Sequence, residues 1–314
     1  MSPPCAAWKS PELPRSNRAK ATFPRLAVRS PLAEAHIYLH GAHVTHFQPH
    51  DQAPVLFMSQ RSLFAADKPI RGGVPLIFPW FGARTGHPES PAHGFARTSE
   101  WQIESLTEDG DGVVIAAFHL SSDDPHPRAL ALRLRAALPR RHRSHPHPHA
   151  GSGKTPPPKP FPFEDALHTY FAVSDVRETS TAGLENADYV DKTDAQQRKN
   201  QGPDLIRITS ETDRVYESTR KTCIVDDPGL HRKITIEKSG SQTTVVWNPW
   251  IAKFRHHGRL RRRRMAQNAL HRNRQRRRQC PHPGSRQNHS TRAIVSVANR
   301  GFVLSEIGID RWNN

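Results

Sequence analysis

Apolar and polar residues alternate in short runs along most of this chain. From about Arg25 the runs AEAHIYLHG, AHVTHFQP and VLFMS appear, followed by WQIESL, GVVIAAFHL and ALALRLR. Later come ALHTYFAVSDV, LIRITS, KTCIVDD, RKITIEKS and QTTVVWNPW, and near the end RAIVSV. Runs of this length, bounded by Gly, Pro and Asp, are the pattern of strands in an all-β sandwich or barrel. No stretch of helix length carries an apolar period of about 3.6 residues. The pattern divides the chain into a flexible basic leader (residues 1–24), a single β-sandwich domain (residues 25–298) and a polar tail (residues 299–314).

Two stretches break the alternation. Residues 139–153 include RHRSHPHPHAGSG, which has no apolar period and cannot be a core strand. Residues 254–289 hold twelve Arg and no Asp or Glu, and residues 139–153 hold three more Arg, again without an acid. These fifteen charges account for nearly all of the formal net +17, so the body of the protein is close to neutral. A basic chain ordinarily points to nucleic acid or an acidic surface. Here the excess sits in two blocks. A His/Pro-rich linker or metal-binding tract would account for the first, and an Arg-rich loop that binds phosphate or RNA for the second.

The genetic code offers one explanation for both. Allowed codons for residues 139–153 spell AGTDLTLTLTLEV in a neighbouring frame, alternating Leu with Thr as a half-buried strand does. Residues 254–289 likewise yield a charge-balanced string with an Ile-Glu-Thr, whose Glu codon straddles those of Arg272 and Asn273. The expectation is out-of-frame translation in both blocks. They should then be mostly irregular, exposed chain, with at most a short and poorly packed strand.

Composition narrows the class. Only 35% of the 314 residues are hydrophobic and 28 are Pro, both poor for a compact enzyme. No apolar run approaches the ~20 residues needed to span a bilayer. The N-terminal stretch MSPPCAAWKSPELPRSNRAK lacks the apolar core of a secretory signal. Cys5, Cys223 and Cys280 form neither a disulfide framework nor a metal spacing, which fits a reducing cytoplasm.

Candidate chemistry begins in KPIRGGVPLIFPWFG, residues 68–82. Gly72 and Gly73 permit a tight turn or close backbone approach, and Arg71 beside them can present a planar fork to a phosphate or carboxylate. Phe78, Trp80 and Phe81 offer faces for a sugar ring or, more ordinarily, for a core. PAHGFART sets His93 and Arg97 around Gly94, which by itself reads equally well as a structural turn. EDALHTYFAVSDV places His168 inside an apolar strand, as a satisfied core residue or as a general acid titrating near working pH. SETDRVYES adds Asp213 and Arg214, which read equally as a surface ion pair.

Together, IRGGVPLIFPWFG, AHGFAR, ALHTYFAV, YVDKTD, TDRVYE and TVVWNPWIAK occur in the order found in the hexose-6-phosphate mutarotases of the aldose 1-epimerase superfamily, which this chain resembles. The resemblance covers roughly residues 25–253, apart from the first break, and the strand near 291–297. It implies an all-β galactose-mutarotase-like supersandwich with a sugar cleft on its concave face. It implies that Arg71 and Arg97 hold the phosphate, that His168 is the general acid, and that His93 and Asp213 bind or orient the sugar. The implied reaction interconverts the α and β anomers of an aldohexose 6-phosphate by acid–base ring opening. A monomeric cytoplasmic enzyme is expected, with no metal, cofactor, membrane or nucleic-acid partner.

One departure matters. The family's general base is a glutamate between the WNPW motif and the last strand, and residues 254–289 contain none. A non-catalytic sugar-phosphate-binding protein is therefore an alternative. An Arg-rich nucleic-acid-binding protein is a weaker one, because the Arg tracts lack interleaved aromatics for stacking.

Overall fold

The computed structural model describes residues 6–8, 23–108, 113–120, 129–136, 163–250, 269–273, 275–276, 289–298 and 302–312. Strands dominate, with single 3₁₀ turns at Ala96–Thr98 and Pro228–Leu230. Among the described residues no helix is long and apolar enough to cross a membrane.

Alternation in sequence becomes alternation in burial. Along Ala33–Tyr38 and again along Cys223–Asp227, buried and half-buried residues follow one another with a period of two. The described strands form three antiparallel sheets. Ala6–Trp8, Arg25–Arg29, Ala33–Tyr38 and His43–Pro49 make a meander. A second, larger sheet runs from Ile206–Arg207 through Cys223–Asp227, Arg232–Ser239, His289–Ala298 and Phe302–Trp312 to the edge strand Gln102–Glu108. The third carries the site. Its order is Gln197–Asn200, Asp188–Asp191, Thr212–Tyr216, Thr244–Asn248, Ala269–Asn273 and Glu164–Phe171, with Leu76–Ile77 paired to the far side of Glu164–Phe171. One apolar cluster draws Ile37 from the meander, Phe118 and Ile234 from the second sheet, and Phe171, Tyr216 and Val246 from the third.

A buried ion pair joins these layers. The Arg232 guanidinium, from the second sheet, donates to the Ala53 carbonyl (2.8 Å), the Pro54 carbonyl (3.1 Å) and the Ala172 carbonyl (2.6 Å). Its Nε lies 3.8 Å from the Asp227 carboxylate, and both side chains are fully buried. Asp227 in turn accepts from the backbone N–H (3.1 Å) and hydroxyl of Ser174, just past the site strand.

Two expectations change. The leader contributes a strand, Ala6–Trp8, whose short apolar AAW pairs with Leu26–Val28. The final residues are not a polar tail: Phe302–Trp312 is an eleven-residue strand between His289–Ala298 and Ala129–Ala136. FVLSEIGIDRW carries Leu304, Ile307, Ile309 and Trp312, which suit a sheet position better than their polar neighbours suggest. In the second block the short strands Ala269–Asn273 and Gln275–Arg276 both pair with the site strand. Ladder hydrogen bonds use main-chain groups, so an Arg-rich segment is no obstacle to them. The side-chain packing of these short strands, and all of residues 139–153, lie outside the described residues.

Arg232→Met removes one member of a buried pair and leaves three carbonyls without their donor. We expect a loss of about 3–5 kcal/mol in urea unfolding, partly recovered when Asp227→Asn is added. A loss below about 1 kcal/mol would contradict the clamp.

Candidate active site

The site grows from Glu164–Phe171. Period-two alternation puts Glu164, Ala166, His168 and Tyr170 on one face and Leu167 and Phe171 on the face that joins the main core. His168 is only 3% exposed, in a strand otherwise apolar at its centre. Its backbone N–H donates to the Pro75 carbonyl at 3.0 Å. The imidazole stacks on Tyr170 (centroids 4.7 Å apart, 17° between planes). It meets His93 edgewise at 6.0 Å and Trp247 at 6.3 Å.

Cross-strand pairing assembles the rest. Position 272 pairs with His168 on one side and with Val245 on the other. Val245 pairs with Val215, and Trp247 with Asp213. Residues directly opposite in antiparallel strands share a face. His168, position 272, Trp247 and Asp213 therefore belong to one face, although they are distant in sequence.

The glycine-bearing loops complete it. Gly73 has φ +59°, and a Cβ there would stand 2.2 Å from the Val44 carbonyl oxygen. Gly94 has φ +72°, and a Cβ there would meet the Phe78 carbonyl oxygen at 1.8 Å. Only glycine tolerates such contacts. Arg71 is held through its N–H to Ser62 Oγ (2.8 Å), and the Arg97 Nη2 donates to the Ala92 carbonyl (2.7 Å). Burial lowers the Arg97 pKa; Tyr170 opposes that shift, and the charge of Arg71 adds to it. Arg71 and Tyr170 thus both act electrostatically on Arg97.

His93 sits at φ +69°. Its backbone N–H donates to the Gly82 carbonyl (2.7 Å), and its Nδ1 accepts the Gly82 N–H (3.0 Å). That bond puts the proton of the neutral ring on Nε2. Phe81 lies edge-on to His93 at 5.0 Å. Asp213 and Arg214 do not form the surface pair that adjacency suggests, since the strand sends neighbours to opposite faces. Arg214 covers the Tyr189 ring at 5.0 Å and donates to Gln201 Oε1 (3.1 Å), which also accepts the Tyr216 hydroxyl (2.6 Å).

Sequence reading missed several members. His43, inside a run read only as a strand, donates from Nε2 to the Gly72 carbonyl at 2.7 Å. Burial drives its pKa down to about 4, against the raising effect of that bond, so it is a neutral prop for the Arg71 loop. Glu164 accepts the Phe81 N–H at 2.9 Å. Neither has a motif to announce it. Among the described residues no group of three or more His, Cys, Asp or Glu is placed to hold a metal ion.

The aldose 1-epimerase family model matches residues 24–293. A protein of Escherichia coli K12 named "Putative glucose-6-phosphate 1-epimerase" is 30% identical over 232 residues, 71% of this chain and 74% of that one. A protein of the same name from Cenchrus ciliaris is 32% identical over 229 residues, 70% of this chain and 68% of that one. The crystal structure of a "putative mutarotase" from Salmonella typhimurium aligns with a TM-score of 0.68 at 22% identity, covering 96% of this chain and 97% of that one. A galactose mutarotase related enzyme from Lactobacillus acidophilus aligns at 0.55 and 11% identity, covering 92% and 97%. The fold is the all-β, galactose-mutarotase-like sandwich.

His43 makes the Arg71 loop sensitive to acid. Its folded pKa of about 4 lies below the ordinary 6.5, so the unfolded chain takes up the proton first as pH falls. Stability present above pH 6.5 is lost progressively towards pH 4, by up to about 3 kcal/mol. Burial also lowers the pKa values of His36 and His46, which add to the same slope. Thermal melts should therefore fall between about pH 7 and pH 4.5. His43→Gln, which keeps a donor for Gly72, should flatten part of that fall; an unchanged slope would clear His43 of the effect.

Proposed function

The chain belongs to the aldose 1-epimerase family, whose members interconvert sugar anomers, and within it we propose that the substrate is an aldohexose 6-phosphate. What supports this reading is the pair Arg71 and Arg97, each beside a glycine turn that only glycine can make, with the charge of Arg71 acting on Arg97. A dianion between two guanidinium groups relieves their repulsion and gains charge-assisted hydrogen bonds. A free sugar offers neither. The names of the two curated relatives agree with a 6-phosphate.

In this reading His168 gives a proton to the ring oxygen while a carboxylate removes the proton of the anomeric hydroxyl. The ring opens, the C1–C2 bond turns, and closure on the other face returns both protons. His93, with its proton on Nε2, and Asp213 hold sugar hydroxyls.

The carboxylate is the weak point of this chain. Residues 254–289 contain no Asp or Glu, and Arg272 stands at the register position opposite His168. The shifted reading frame places its Glu codon across Arg272 and Asn273. We read residues 139–153 and 254–289 as out-of-frame, and the coding DNA tests this directly. The chain as it stands would then bind a hexose 6-phosphate and catalyse its mutarotation poorly. A binding role without catalysis is the second reading, favoured by that same missing carboxylate.

Two experiments follow. Arg97→Met and Arg71→Met should each weaken glucose 6-phosphate binding by about 10- to 100-fold in calorimetry. Unchanged affinity in both would remove the phosphate site. Arg272→Glu should raise the rate of anomer exchange, followed by NMR magnetisation transfer, by about 10² to 10⁴. Full exchange by the unsubstituted chain would show that the base comes from elsewhere.

A further inference from the structure

On the reading above, we propose that Lys192 and Asp213 together clamp a vicinal pair of sugar hydroxyls on the face that carries His168. The Lys192 backbone N–H donates to the Asp213 carbonyl at 2.8 Å, one step beyond the pair Asp191–Arg214. The ladder therefore sets Lys192 beside Asp213, which itself pairs with Trp247. By the alternation of the strand, Lys192 shares the face that carries Asp213, Trp247 and His168.

Its side chain reaches inward across the site. The Lys192 ammonium lies 5.0 Å from the centroid of Phe81. Phe81 is edge-on to His93, and His93 to His168. Two chains of contacts thus lead away from His168. One reaches Tyr170, whose field acts on Arg97, and the other passes through His93 and Phe81 to the ammonium.

The hairpin that carries Lys192 is held independently. Asp191 Oδ1 accepts the Thr193 N–H (3.0 Å) and hydroxyl (2.6 Å). The Lys199 ammonium sits 2.9 Å from Asp191 and 2.6 Å from Asp194. The acids of the turn are thereby matched to Lys199, within the hairpin itself.

Charge decides what each end takes. At the arginine end a second cation, Arg71, acts on Arg97, and an anion answers both. At the lysine end the register sets Asp213, a carboxylate that repels a phosphate, opposite the residue that carries the ammonium. A neutral diol suits that pair, because one hydroxyl accepts from the ammonium while its neighbour donates to the carboxylate. In a hexose 6-phosphate such a diol lies at C2 and C3, across the ring from the phosphate arm.

The test uses the full chain and equilibrium binding. Lys192→Met keeps an apolar stem on Phe81 and removes the charge. It should weaken glucose 6-phosphate binding about tenfold or more and leave inorganic phosphate binding and the melting temperature unchanged. At least one of 2-deoxyglucose 6-phosphate and 3-deoxyglucose 6-phosphate should bind both proteins equally. Asp213→Asn should abolish the same discrimination between glucose 6-phosphate and that analogue. Unchanged glucose 6-phosphate affinity in Lys192→Met overturns the clamp alone. An equal loss for inorganic phosphate overturns it too, making Lys192 part of the anion site. If the unsubstituted chain binds no hexose 6-phosphate, the substrate reading falls and the clamp falls with it.

Discussion

The pair Arg232–Asp227 is the constraint on which the arrangement of the sheets rests. One guanidinium gathers carbonyls from residues 53–54, which follow the meander, and from Ala172, which follows the site strand. Asp227 takes the next turn through Ser174. Burying two charges is costly, and the three carbonyls on Arg232 with the Ser174 donors on Asp227 offset that cost. The arrangement therefore penalises any other alignment of the layers. It fixes the end of Glu164–Phe171 against the second sheet, and with it the depth at which His168 sits.

From that anchored strand the site follows by counting. A slip of one residue would turn His168 and Tyr170 into the core and bring Leu167 and Phe171 out. The core face of the same strand, with Leu167 and Phe171 in the main cluster, resists that slip. Stability and chemistry are thus written on opposite faces of one element. The glycines at 73 and 94 add what strands cannot, a close passage of backbone in the two loops that carry Arg71 and Arg97.

Much of this was legible beforehand. Alternation announced most strands, and Arg71, His93, Arg97, His168 and Asp213 stood out in motifs. What was hidden depends on partners far away in sequence. His43 looks like any residue of a half-buried strand until the Gly72 carbonyl meets it. Lys192 and Asp213 are twenty-one positions apart and become neighbours only through the hairpin and its register. The strand Phe302–Trp312 was obscured because its acidic and small residues interrupt the apolar count, and Ala6–Trp8 because three residues are too few to show a period.

The ladder at Ala269–Asn273 is made of amide groups that every residue except proline supplies alike. Selection for shape and selection for reactivity therefore act on different atoms of the same residue. A lineage could keep its architecture here while its catalysis lapsed, and the sheet would register nothing. Position 272 is a place in a finished frame, and the ladder that holds it is indifferent to the side chain it carries.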